Sequence, residues 1–203
     1  VIINAFNLID GVDGLAAGIG FISAILFGLW FYFAGAEDNA VLAISLAGAL
    51  IAFLIFNFEP ARVFMGDSGS LTIGLIISVL SIKLIEYETS DLPANMLSIS
   101  KPIFAMAILS YPLIDTLRIF IYRTVNGQSP FSADRNHLHH NLMDLGYSHA
   151  KTVIIIYLFS IFMISMAAFS GIDKNLLFVI LSVFAVLSSQ IPWMLVKRKN
   201  KLR

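Results

Sequence analysis

Apolar residues run along this chain in long stretches separated by short polar clusters. Six stretches have the length of a membrane span: 15–34, 40–56, 70–85, 102–121, 152–170 and 176–195. A helix needs about 20 mostly apolar residues to cross the hydrocarbon layer. The second and third are short, so they are expected to stand with little tilt or to draw on their flanks. Ten-residue segments of alternating polarity, the mark of a lipid-facing barrel, do not occur. The first stretch is too long for a signal peptide and lacks a basic leader. The pattern predicts an all-α, polytopic helical membrane protein with about six transmembrane helices, forming a single transmembrane domain over 1–203.

Composition strengthens that reading. The chain is 58% hydrophobic and 13% charged with zero formal net charge, whereas a soluble domain carries about 25% charged residues. Disorder and a water-soluble globule are excluded, and the neutral balance argues against a nucleic-acid partner, which would call for a basic footprint. With no cysteine there is no thiolate metal site and no cysteine nucleophile. Of the 13 Lys and Arg, all but Lys83, Lys101 and Lys174 fall on or beside segments 1–14, 57–69, 122–151 and the C-terminal tail. By the positive-inside rule that face is cytoplasmic.

The unusual chemistry sits on the same face. In the first segment Asn4, Asn7, Asp10 and Asp13 recur every third residue, which on a helix makes a slowly drifting polar stripe. Gly11 and Gly14 leave room for a ligand or a second backbone. The alternative is an Asp-Gly turn ahead of the next span, with Gly14 and Gly18 as a small-residue packing face. In the second segment Asp67 is framed by Gly66, Ser68, Gly69 and Ser70 at the mouth of a span. A carboxylate there suits Mg²⁺, which takes one or two protein carboxylates and leaves its other positions to water and phosphate. Glycine amides suit a phosphate at a helix start. Equally, Asp67 or Ser68 would serve as an N-cap. Phe64 would stack a base or anchor the interface.

The third segment holds Arg135, His137, His139 and His140. Without a thiolate or an i,i+4 His pair this is a weak zinc signal; imidazoles beside an arginine would grip phosphate oxygens instead. His149 stands apart and is expected to be incidental. Asp115, near the end of the fourth span, is expected to form a structural ion pair with Arg118.

Three motifs in this order resemble the polyprenyl-phosphate N-acetylhexosamine-1-phosphate transferase superfamily, glycosyltransferase family 4. They are Asn7-Leu-Ile-Asp10-Gly11-Val-Asp13-Gly14, Phe64-Met-Gly66-Asp67-Ser-Gly-Ser and Asp134-Arg135-Asn-His137-Leu-His139-His140. The histidine loop is similar to that of the undecaprenyl-phosphate GlcNAc-1-phosphate transferases, not to the three consecutive histidines of the UDP-MurNAc-pentapeptide translocase. The resemblance implies transfer of a sugar-1-phosphate from a UDP-N-acetylhexosamine to undecaprenyl phosphate, in a bacterial cytoplasmic membrane, with Mg²⁺ (or Mn²⁺) as cofactor and a homodimer allowed. It implies that Asp67 ligates the metal and that Asn7 and Asp10 lie by the ribose and phosphates. Asp13 and Phe64 would contact the uracil, while Arg135, His137, His139 and His140 would engage the diphosphate or sugar. Asp10, Asp67 and the three histidines form the catalytic set; Gly11 and Gly66 belong to the substrate-binding set. The family's upstream Asp-Asp pair does not occur in this chain, so it is expected to be the C-terminal portion of a longer enzyme. The rival readings are a transporter or channel with a metal-sensing histidine loop, and an inactive scaffold subunit.

Overall fold

The computed structural model describes residues 1–129 and 136–201, which contain helices and no strand. In chain order the helices are α1 (Ile2–Leu8), α2 (Leu15–Phe33), α3 (Glu37–Asn57), α4 (Gly66–Glu86), α5 (Lys101–Ile108), α6 (Ser110–Val125), α7 (Leu138–Asp144), α8 (His149–Phe169) and α9 (Lys174–Lys201). The protein is a multi-pass helical membrane protein. The second and third spans draw on their flanks, as expected: α3 and α4 each run 21 residues by taking in polar ends at Glu37 and at Gly66.

In a bilayer, lipid tails are as apolar as leucine, so helices pair through close approach and packing. The most apolar stretch of α2 is 67% buried, against 22% for α3 and for α9. α2 is therefore the axis of the bundle, and the other two turn leucines, isoleucines and valines outward. Gly28 lets α2 approach Ala43 and Ile44 of α3. A second close approach sets the site: a Cβ on Gly74 would stand 2.7 Å from the Ile3 Cα. α1 thus lies with its backbone directly against α4.

The fourth span is the main departure from the pattern. It breaks between α5 and α6, which are bent by 74°. Pro112 has no N–H for the Ile108 carbonyl, and its ring would crowd that carbonyl in a continuous helix. The chain turns at Leu109 (φ −94°, ψ 11°). At the start of the pair the Lys101 ammonium bonds the Tyr87 carbonyl, beside Trp30, whose ring lies edge-on to Tyr87 at 5.4 Å. At its far end Arg118 bonds the Asn136 carbonyl, next to the histidines. Among the described residues five helices are long and apolar enough to cross a membrane, and six crossings result if the bent pair counts as one.

Candidate active site

Segments 1–14, 57–69 and the part of 122–151 that is described gather at one end of the bundle. The three-residue polar stripe expected in the first segment does not form, because α1 ends at Leu8. Asn7 sits on its last turn, while Asp10 and Asp13 lie in the following turn. That turn closes on Gly14 at φ +81°, where a Cβ would meet the Phe58 ring at 2.9 Å; only glycine fits. The Gly14 N–H donates to Asn57 Oδ1 (3.1 Å), and Asn57 Nδ2 donates to the Val63 carbonyl (2.9 Å). The small-residue face at Gly14 and Gly18 exists, and Tyr157 of α8 occupies it. The Tyr157 hydroxyl donates to the Gly14 carbonyl at 2.5 Å.

Two of the motifs meet through the α1–α4 contact. Asn7 Nδ2 donates to Asp67 Oδ1 (2.9 Å) and to Ser70 Oγ (3.1 Å). Asp67 lies in the first turn of α4, where a negative charge is favoured by the helix dipole, but neither it nor Ser68 is the cap; that position is Met65. Asp67 is exposed and Asp10 half-buried. Burial and then the Asp67 charge push the Asp10 carboxyl up to about 6, while a hydrogen bond from the Gly66 backbone pulls it down. Two carboxylates that repel each other at an open helix start, with an amide and a hydroxyl alongside, are a donor set for a hard divalent cation. Among the described residues no group of three or more His, Asp or Glu converges. Phe64 stands 75% exposed beside it.

The histidines reach the same place from the other side. A Cβ on Gly11 would lie 3.0 Å from His139 Nε2, so the loop packs on the residue that follows Asp10. His137 and His139 are buried and stack at 5.5 Å; His140 is half-buried, its ring 4.3 Å from that of His139. Burial pushes the His139 imidazole down to about 3; Asp115 opposes this, and His140, His137 and Arg118 add to it. Arg135 lies outside the described residues.

What seats the loop is the inner stripe of α6, which the sequence reading had used only for an ion pair. Tyr111, Asp115 and Arg118 follow at i, i+4 and i+7, so they share one face. Tyr111 Oη lies 3.2 Å from His139 Nδ1. Asp115, wholly buried, accepts from His137 Nδ1 (2.8 Å) and from the Leu138 N–H (2.9 Å). Arg118 bonds the Asn136 carbonyl and stands 3.5 Å from Asp115. The ion pair exists, but the histidine loop is the closer partner of Asp115. Since α7 has no side-chain cap of its own, Asp115 supplies it from another helix.

The expectation for His149 is corrected. Its Nδ1 receives the Asp13 N–H (3.4 Å) and lies 3.5 Å from Asp13 Oδ2, and that oxygen accepts from the Ala61 N–H (3.2 Å). Beside it the Ala150 N–H donates to Glu59, so the start of α8 is tied to both earlier loops. Sequence reasoning missed Asn57, Glu59, Tyr111 and His149. Only Tyr111 left a signal, its helical spacing from Asp115.

The glycosyl transferase family 4 model matches residues 1–85. The decaprenyl-phosphate N-acetylglucosaminephosphotransferase of Mycolicibacterium smegmatis is 40% identical over 172 residues, covering 77% of this chain and 41% of that protein. The probable undecaprenyl-phosphate N-acetylglucosaminyl 1-phosphate transferase of Bacillus subtilis is 41% identical over 157 residues (77% and 42%). The undecaprenyl-phosphate alpha-N-acetylglucosaminyl 1-phosphate transferase of Escherichia coli K12 is 31% identical over 160 residues (77% and 41%). The chain spans about two fifths of the length of these relatives.

Proposed function

We propose that this chain, which carries the family 4 glycosyl transferase domain in residues 1–85, is the part of a polyprenyl-phosphate N-acetylglucosamine-1-phosphate transferase that holds the nucleotide sugar. A phosphate oxygen of undecaprenyl or decaprenyl phosphate attacks the β-phosphorus of the UDP-sugar. The bond from that phosphorus to the bridging oxygen breaks, and UMP leaves. The products are the polyprenyl-diphosphate sugar and UMP, a first membrane step in building a surface glycan. The site faces the cytoplasm of a bacterial inner membrane, where the nucleotide sugar is available.

The observation that carries this reading is the underpaired Asp10–Asp67 couple, clasped by Asn7 and set against the His139 edge at Gly11. Asp67 and Asp10 would hold Mg²⁺, or Mn²⁺, which supplies charge neutralisation of the diphosphate and of the leaving UMP. Asn7 orients Asp67. The exposed start of α4 offers backbone donors to phosphate oxygens. Phe64 and Asp13 flank the nucleobase, and His137, His139, His140 and Arg135 engage the diphosphate and sugar. The transporter reading loses support here: the middles of spans such as 19–33 and 153–165 are almost wholly apolar, and an ion path needs polar residues there.

The test is formation of lipid-linked sugar phosphate and UMP from UDP-GlcNAc and polyprenyl phosphate, by the protein as its gene encodes it, with and without Mg²⁺. Synthesis that needs the metal and disappears in Asp67→Asn is the expected result. Full turnover in Asp67→Asn would overturn the assignment.

A further inference from the structure

The two buried histidines are held by opposite kinds of partner. Asp115 already accepts the Leu138 N–H and stands against the Arg118 guanidinium, partners that suit a carboxylate, which is an acceptor only. The proton in its 2.8 Å bond with His137 therefore sits on His137 Nδ1. In the neutral ring that leaves Nε2 as a lone pair. His139 meets a phenol. Tyr111 is buried, its Oη reaches His139 Nδ1 at 3.2 Å, and a phenol has one proton to give. With that proton donated to Nδ1, the neutral His139 carries its own on Nε2, the atom that faces Gly11.

We propose that Tyr111 and Asp115 of α6 lock His139 and His137 into opposite tautomers, giving the site one fixed imidazole N–H donor beside one imidazole whose Nε2 is the unprotonated nitrogen. The low proton affinity that burial gives His139 is consistent with a ring that stays neutral and donates through a single nitrogen. The groups facing the pair are Tyr111, Asp115 and Arg118 from α6 and His140 from α7. Tyr111 and Asp115 act as positioning residues. The tautomers rest on geometry alone. Their use, with His139 Nε2–H toward an anionic diphosphate oxygen and His137 Nε2 as a proton acceptor, rests on the proposed function.

The test is ¹⁵N spectroscopy of histidine-labelled protein in lipid nanodiscs, over the alkaline range where the imidazoles are neutral. Protonated and unprotonated ring nitrogens separate widely there, and His137→Gln and His139→Gln spectra assign the signals. The expected result is His137 protonated at Nδ1 only and His139 at Nε2 only. Tyr111→Phe, which keeps the ring that fills the space, should turn His139 into a mixture of tautomers and leave His137 unmoved; Asp115→Asn should do the reverse. The same tautomer on both rings, or a His139 spectrum unchanged by Tyr111→Phe, would overturn the proposal. Tyr111→Phe decides alone if Asp115→Asn does not fold. Sugar-phosphate transfer measured on the same samples is a separate readout: wild-type protein with the expected tautomers and no transfer counts against the proposed function and not against the tautomers.

Discussion

Asp115 and Asp67 lie at the same end of the bundle and belong to opposite kinds of site. Asp115 is fully buried and each of its oxygens is met, by His137 on one side and by Leu138 and Arg118 on the other. Asp67 is exposed, holds the Asn7 amide, and shares its space with a second carboxylate that repels it. A buried charge persists only when its partners are complete, so Asp115 is committed to structure. Asp67 and Asp10 keep charge in reserve, and such charge is what a cation and a diphosphate answer. A carboxylate's role here is read from what it lacks as much as from what it touches.

Substitutions can break that contrast. Asp115→Ala should cost about 3–5 kcal/mol, because it strands His137, the Leu138 N–H and Arg118; thermal unfolding in detergent measures it, and Asp67→Ala should move the same midpoint hardly at all. Activity should show the reverse order. Asp67→Asn is expected to lower turnover by about 10³-fold, the equivalent of several kcal/mol of charge stabilisation, with folding intact, as a coupled UMP-release assay would report. Gly74→Ala touches neither carboxylate, yet it should cost about 1–3 kcal/mol through overpacking against Ile3. It should also weaken metal dependence by moving Asn7 off Asp67, seen as a higher Mg²⁺ requirement.

The effects of pH carry opposite signs. His139 lies below its ordinary 6.5, at about 3. The unfolded chain therefore takes the proton first, and stability present above 6.5 drains as pH falls toward 3. Asp10 lies above its ordinary 3.8, at about 6. Stability from its proton is complete below 3.8 and is lost as pH rises through 6. His139→Gln should flatten the acid limb of a melting-temperature profile, and Asp10→Asn should raise the midpoint above pH 6. Added Mg²⁺ should remove the Asp10→Asn advantage.

The spans and the face bearing the motifs were legible because both rest on local signals, apolar run length and charge placement. The stripe on α6 was legible in part: Asp115 stood out as an ionisable residue in an apolar helix, and Arg118 three residues on suggested the wrong principal partner. His137 is 22 residues away, and nothing local brings it back. The same holds for Asn57 on Gly14 and His149 on Asp13. These pairs exist because the bundle places three loop ends together, and a chain read in order carries no record of that juxtaposition. The Asn7–Asp67 clasp depends on Gly74, seven residues from Asp67, whose use is a backbone approach that composition does not display. Pro112 was visible, but the turn at Leu109 that accompanies it was not expected.

That turn also matters to the bilayer. The 8 residues of α5 and the 16 of α6 would stretch about 36 Å if straight, enough for a hydrocarbon layer of about 30 Å. Bent by 74°, the two helices cannot both stand along one axis, so together they rise less than that straight length. A span shorter than the hydrocarbon layer is met by a membrane that thins around it. A thinner bilayer should therefore suit this proline-linked corner, an expectation that activity in nanodiscs of short-chain against long-chain lipid would check.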